Sequence, residues 1–144
     1  MSKKLLRKSV SIVFTACVAC TGSQDATVDT ANLPKIGVEY ELTEQDICRG
    51  NGSPAIRLSD LPAGVASYDV LMTDMDSPRF RHWRETIESQ EPAIPAGRGG
   101  TYVGPGCPPN GHRYRISILA RNAQRQPIAY GEKTITAVRS RGAR

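Results

Sequence analysis

HRYRISILAR, residues 112–121, alternates polar and apolar side chains and places Tyr114, Ile116 and Ile118 on one side. Alternation at a period of two over this length predicts a half-buried strand. Working outward, KIGVEYEL (Lys35 to Leu42) repeats the pattern with Ile36, Val38, Tyr40 and Leu42. Ala55 to Leu58 puts Ile56 and Leu58 on one face. SYDVLMT (Ser67 to Thr73) carries apolar residues on both faces, at Tyr68, Val70, Leu71 and Met72, as a central strand does. Gln126-Pro127 to Tyr130 and Lys133 to Val138 read as a final pair of strands around Gly131. Arg84 to Glu91 (RETIESQE) is the only candidate helix, one or two turns at most. Short strands punctuated by Gly, Pro, Asn and Asp, with no repeat, predict an all-β sandwich or barrel with one short helix at most.

The chain has 144 residues, enough for one domain. It is 39% hydrophobic and 23% charged, which excludes a fully disordered chain and a multi-span membrane protein. The formal charge of +5 invites a nucleic-acid reading, but Lys3, Lys4, Arg7 and Lys8 supply four of the 19 basic residues. Without that segment, 15 basic residues face 14 acidic ones. Two Phe and one Trp leave little for base stacking, so no nucleic-acid partner is expected.

Residues 1–20 read as a signal peptide. Met1 to Lys8 is cationic, and Val10 to Ala19 is apolar but too short to span a bilayer, which takes about 20 residues. Cys17-Val18-Ala19-Cys20 is similar to a bacterial lipobox, with Cys20 as the lipidated residue and Cys17 where Leu is usual. Phe14-Thr15-Ala16-Cys17 is a second register. Residues 21–34 read as a flexible tether of small polar residues, 35–138 as the folded domain and 139–144 as a basic tail. The expectation is an exported, lipid-anchored protein on the periplasmic side, or a secreted one if acylation does not occur. Export leaves Cys48 and Cys107 in an oxidising compartment, either as a disulfide or as two buried thiols.

Four features carry candidate chemistry. Asp74-Met75-Asp76-Ser77-Pro78 follows the central strand, and continued alternation would place Asp74 and Asp76 on one side. His82-Trp83 comes next. Gly97 to Gly111 (GRGGTYVGPGCPPNG) holds six glycines and three prolines, a composition that lets backbone N–H groups approach an anion. His112-Arg113-Tyr114 then opens the strand first described. Each alone has an ordinary reading as a turn, a surface histidine or a rigid loop.

Taken in order, Asp-x-Asp-x-Pro, His-Trp, Tyr-x-Gly-Pro-Gly-Cys-Pro-Pro and His-Arg-Tyr resemble the phosphatidylethanolamine-binding protein family. Asn51-Gly52-Ser53-Pro54-Ala55-Ile56 and Leu61-Pro62-Ala63-Gly64 match its earlier segment. The resemblance covers about Asp46 to Arg121. It implies a β-sandwich with a small anion-accepting pocket at one end. It also implies that Asp74, Asp76, Pro78, His82, Tyr102, Gly104, Pro105, His112 and Tyr114 contribute to ligand binding. Pro108 matches the same glycine–proline loop. This chain departs from the family between Trp83 and Tyr102, where Arg84-Glu85-Thr86-Ile87-Glu88 stands in place of an apolar strand. It also shows no helix after Arg121.

A carboxylate in an anion pocket needs a reason, because two unit charges at about 4 Å repel by roughly 4 kcal/mol at an effective dielectric near 20. Asp74 hydrogen-bonded to His82 or His112 would favour an imidazolium. The ligand would then meet a cation, the Tyr114 hydroxyl and loop N–H groups. Asp76 would pair with Arg113 or Arg79. The function expected is non-catalytic: a domain holding a small anionic ligand, a phospholipid headgroup or a partner's anionic group, with no cofactor and no metal. One alternative is an interaction or inhibitor domain without a ligand. The other is a metal-assisted hydrolase using Asp74, His82 and His112. No GxSxG motif or Ser-His-Asp order supports a nucleophilic mechanism.

Overall fold

The computed structural model describes residues 28–48, 50 and 52–138. The leader, both candidate lipidation sites at Cys17 and Cys20, and the basic tail lie outside the described residues. Seven strands and one short helix follow in the order β1 (Gly37–Tyr40), α1 (Glu44–Cys48), β2 (Ile56–Ser59), β3 (Ser67–Asp74), β4 (Arg81–Glu88), β5 (Ala93–Ile94), β6 (His112–Arg121) and β7 (Pro127–Ala137). They form two antiparallel sheets, ordered β1-β2-β5 and β4-β3-β6-β7. The inner faces share one core. Val38, Ile56, Leu58 and Ile94 come from the small sheet, and Tyr68, Val70, Met72, Trp83, Ile116 and Ile118 from the large one. Each fully buried Ile or Val contributes about 1.5–3 kcal/mol. The alternation at 112–121 is realised throughout: Tyr114, Ile116, Ile118 and Ala120 are all at 0% exposure.

Three expectations are corrected. Arg84 to Glu91 is not a helix, since most of it lies in β4. Trp83 and Ile87 point inward there while Arg84, Thr86 and Glu88 face solvent. Pairing with β3 along its whole length supplies hydrogen bonds that an isolated two-turn helix would have to form unaided. The polar residues that replace an apolar strand therefore still make a strand, with one wet face. The helix is instead Glu44–Cys48. Thr43 caps it: its Oγ1 accepts the Asp46 N–H at 3.3 Å, and the Asp46 carboxylate accepts the Thr43 N–H at 2.7 Å. This is a reciprocal capping box.

The C-terminal segment is one strand, β7, rather than two. Gly131 is not a turn. It pairs with Ile118 in the ladder, and β1 crosses directly over it. A Cβ at Gly131 would sit 2.4 Å from the Ile36 carbonyl oxygen and 2.8 Å from Val38 Cγ2, so only glycine admits that crossing. The junction is tied by Ile36 N–H to Tyr130 C=O (3.1 Å) and Tyr130 N–H to Pro34 C=O (2.9 Å). Residues 29–34 form a hydrogen-bonded turn leading into it. The Tyr40 hydroxyl donates across the core to the Tyr114 carbonyl at 2.6 Å, which fixes the small sheet over the start of β6.

Candidate functional site

Register brings the site together. β3 ends on Asp74, which lies opposite Tyr114 near the start of β6. Two motifs forty residues apart therefore meet at one end of the large sheet. The inward parity of Val70 and Met72 continues to Asp74, which is buried. That of Ile116 and Tyr114 continues to His112. His82 joins them through a β-bulge. Met72 pairs with Trp83, but Thr73 pairs with Arg81, so His82 is the extra residue. A regular strand would send one of two consecutive side chains outward. Here His82 (4% exposed) and Trp83 (1%) are both inside, as a bulge allows.

Asp74 is the hub. Its Oδ1 accepts the N–H groups of Asp76 (2.8 Å) and Ser77 (3.0 Å), closing an Asx-type turn. Its Oδ2 accepts His112 Nδ1–H at 2.6 Å and lies 4.0 Å from His82 Nε2. Burial pushes the Asp74 carboxyl upward, but His112 and the two amides outweigh it and leave it below the ordinary value. It is therefore ionised. His82 Nδ1 donates to the Val103 carbonyl at 2.8 Å, which turns Nε2 toward Asp74.

Both imidazoles lie against one phenol. His82 meets the Tyr114 ring edge-on at 5.3 Å, and His112 stacks on it at 6.3 Å. The Tyr114 hydroxyl is buried with no hydrogen-bond partner in the protein. Burial, with Asp74 and Asp76 nearby, pushes it up to about 12, so it remains a donor. Tyr102, packed edge-on against Trp83 at 5.9 Å, has a second unpartnered buried hydroxyl. It is likewise raised to about 12 by burial and by Asp46 and Tyr114.

Alternation does not continue through Asp76, because the Asx turn ends the strand at Asp74. Asp76 is exposed and binds Arg113 through the backbone N–H (2.8 Å) and the guanidinium (2.8 Å). These hydrogen bonds hold its carboxyl down to about 2. Arg113, not Arg79, is the partner. Pro78 is exposed in the following turn, where Phe80 N–H reaches Ser77 C=O. The glycine–proline loop does not present the row of free N–H groups its composition suggests. The N–H groups of Tyr102, Val103, Cys107 and Gly111 are used within the protein. Gly104 serves packing, since a Cβ there would meet Gly50 Cα at 2.7 Å. Pro105 is half-buried beside it.

The loop is held at several points. Ser53 accepts Gly97 N–H on its carbonyl and Gly99 N–H on its hydroxyl, both at 2.8 Å. Val103 N–H donates to the His82 carbonyl at 2.7 Å. Cys48 and Cys107 form a disulfide that fastens the loop to the end of α1. Among the described residues, no group of three or more His, Cys, Asp or Glu is arranged to hold a metal ion. Val103, the Ser77 amide and Phe80, whose ring lies 4.7 Å from that of His82, were missed at the sequence level. The first two act through backbone atoms, which carry no residue signature.

This geometry can be set beside known proteins. The family model described as phosphatidylethanolamine-binding protein matches residues 23–141. No curated protein matches the sequence. Two similar solved structures are YbcL of E. coli, described as a new member of the mammalian PEBP family, and CT736 of Chlamydia trachomatis, a putative PEBP homologue. YbcL is 18% identical, with a TM-score of 0.56 over 72% of this chain and 98% of its own. CT736 is 17% identical, with a TM-score of 0.56 over 76% of this chain and 99% of its own. At these identities the structures attest to the fold, and the family match spans most of the sequence. The chain belongs to the phosphatidylethanolamine-binding protein family.

Proposed function

We propose that the protein is a non-catalytic binding domain that takes a phosphate-type anion at the Asp74–His82–His112–Tyr114 cluster. It is held at a membrane through a lipid on Cys20. The buried, unpartnered Tyr114 hydroxyl carries the reading. Leaving such a donor unpaired costs about 1–3 kcal/mol, and an anion at the two imidazoles would accept from it. The Asp74 charge is directed into the protein: both of its oxygens are engaged, by two amides and by His112. The ligand-facing side is left to donors. Three exposed large apolar side chains flank the same rim. Phe80 lies against His82, the Val103 carbonyl binds His82, and Val138 abuts Gly111 next to His112. An anionic group on an apolar body, as in a phospholipid headgroup, fits that border.

Calorimetric titration with inorganic phosphate, phosphoethanolamine and a short-chain phosphatidylethanolamine tests this. Binding is expected at about pH 5.5 and should be about tenfold weaker at about pH 8. The sign follows from charge: an imidazolium attracts the anion, and its loss on raising the pH removes the attraction. Equal affinity at both pH values removes the imidazolium from the mechanism. No binding of any of the three refutes the anion site. Tighter binding of the lipid than of phosphoethanolamine assigns a role to the apolar rim.

A further inference from the structure

We infer that Glu85 is a positioning residue for His82: its carboxylate holds a strap, residues 99–103, against β4, and the strap fixes which ring nitrogen His82 turns toward Asp74. Glu85 falls between Trp83 and Ile87 in the row of β4 that otherwise goes into the core, and it pairs with Val70. A carboxylate in such a row is costly unless donors meet it. Here they do. Glu85 Oε2 accepts Trp83 Nε1–H at 3.0 Å and Thr101 N–H at 3.4 Å, and the Gly100 amide donates to the same carboxylate. The indole, and after it the two amides, outweigh burial and leave the carboxyl below its ordinary value. An apolar side chain at this position would meet none of these donors.

The strap lies residue by residue along β4. Gly99 is so close to the Trp83 indole that a Cβ there would meet Cε2 at 2.6 Å. Thr101 Oγ1 donates to the Arg84 carbonyl at 3.0 Å. Val103 N–H donates to the His82 carbonyl at 2.7 Å, and the Val103 carbonyl accepts His82 Nδ1–H at 2.8 Å. Ser53 holds Gly99 and the disulfide holds Cys107, each four residues from Val103. Glu85 grips Thr101, two residues away, which is at most about 7 Å along the chain. A hydrogen bond weakens steeply once its acceptor moves out of line, so the aim of the Val103 carbonyl depends on that grip. An imidazole released from the carbonyl can turn over about its two-fold side-chain torsion. That exchanges Nδ1 with Nε2 and takes Nε2 away from its place 4.0 Å from Asp74 Oδ2. A ligand of the cluster would then meet either nitrogen rather than one.

The test compares the full chain, disulfide intact, with Glu85→Ala and Glu85→Gln, reading the exchange of histidine ring N–H protons with water by NMR. His82 Nδ1–H, bound to Val103, and His112 Nδ1–H, bound to Asp74, belong to one site, and only the first bond is made to the strap. In Glu85→Ala the His82 proton is expected to exchange about tenfold faster, the worth of one hydrogen bond, while the His112 proton keeps the parent rate. Glu85→Gln retains an acceptor oxygen for the indole and the Thr101 amide, so it should stay closer to the parent than to the alanine variant. Unchanged exchange at His82 in the alanine variant overturns the inference. So does equal acceleration at His112, which would reduce Glu85 to general support of the fold. A glutamine variant that matches alanine overturns it as well. Titration with inorganic phosphate is the second arm, and it rests on the anion reading proposed above. Glu85→Ala is expected to bind about fivefold more weakly than the parent, and equal affinity overturns the role of Glu85 in the site. A parent that binds no phosphate refutes the anion site instead, and the exchange rates then decide the role of Glu85 on their own.

Discussion

Asp74→Ala will lower the melting temperature by about 10–15 °C near neutral pH. The substitution strips one buried carboxylate from four contacts at once: two turn amides, His112 and the facing His82. Removing one partner of a buried, hydrogen-bonded charge costs about 2–4 kcal/mol, and for a domain of this size each kcal/mol shifts the midpoint by about 4 °C. Asp74→Asn keeps an acceptor for the amides and loses only the charge, so it falls between the two. The pH dependence has a definite sign. The carboxyl sits below its ordinary value in the folded protein, so its stabilisation is complete above the unfolded value of 3.8 and drains away as pH falls through the folded value. Thermal melts at about pH 6 and about pH 3 should show parent and Asp74→Asn converging in acid. A gap that stays constant over that range would mean that the charge of Asp74 does not stabilise the fold.

Opening the disulfide is the second large effect. Cys48 and Cys107 are 59 residues apart. Closing a loop of that length removes about 4 kcal/mol of conformational freedom from the unfolded chain. Cys48→Ser with Cys107→Ser should therefore cost about as much stability as Asp74→Ala. It should also cost function, because the loop that carries Val103 to His82 is fastened to α1 by this bond. Melting the oxidised protein with and without reductant reads the first part, and phosphate calorimetry on the reduced form reads the second. Identical midpoints would assign the loop's position to Ser53 and the Val103–His82 bonds alone.

Much of the fold was open to inspection. The residues of β6 and β3 alternate without interruption, and burial follows the pattern side chain by side chain. What failed has physical reasons. Arg84 to Glu91, expected as a helix, lies mostly in a strand, because one wet face of an edge strand carries charges as well as a helix does. Gly131, expected to divide a pair of strands, lies inside a single one. The close crossing of β1 that demands it is a long-range contact with no local trace. The capping box Thr43-Glu44-Gln45-Asp46 opens a run too short to show helical periodicity in the sequence.

The site divides the same way. Asp74, His82, His112 and Tyr114 converge as the motif order implied. Asp76 leaves the group because the Asp74 carboxylate captures the next two amides and ends the alternation that had seemed to continue. Gly104 belongs to packing. The bulge at His82 can be seen in retrospect: two neighbouring large side chains in a strand cannot both be interior unless the ladder skips one residue.

The strap across β4 has a consequence beyond the cluster it positions. β4 is an outermost strand, and its His82 and Arg84 carbonyls are taken by the Val103 N–H and the Thr101 hydroxyl. The same segment that aims a histidine therefore also blunts a border where another copy could add itself strand to strand. If opening the Cys48–Cys107 bond frees the strap, that border is bared. Thiol–disulfide balance would then govern how concentrated the protein can become before copies zip together and leave solution.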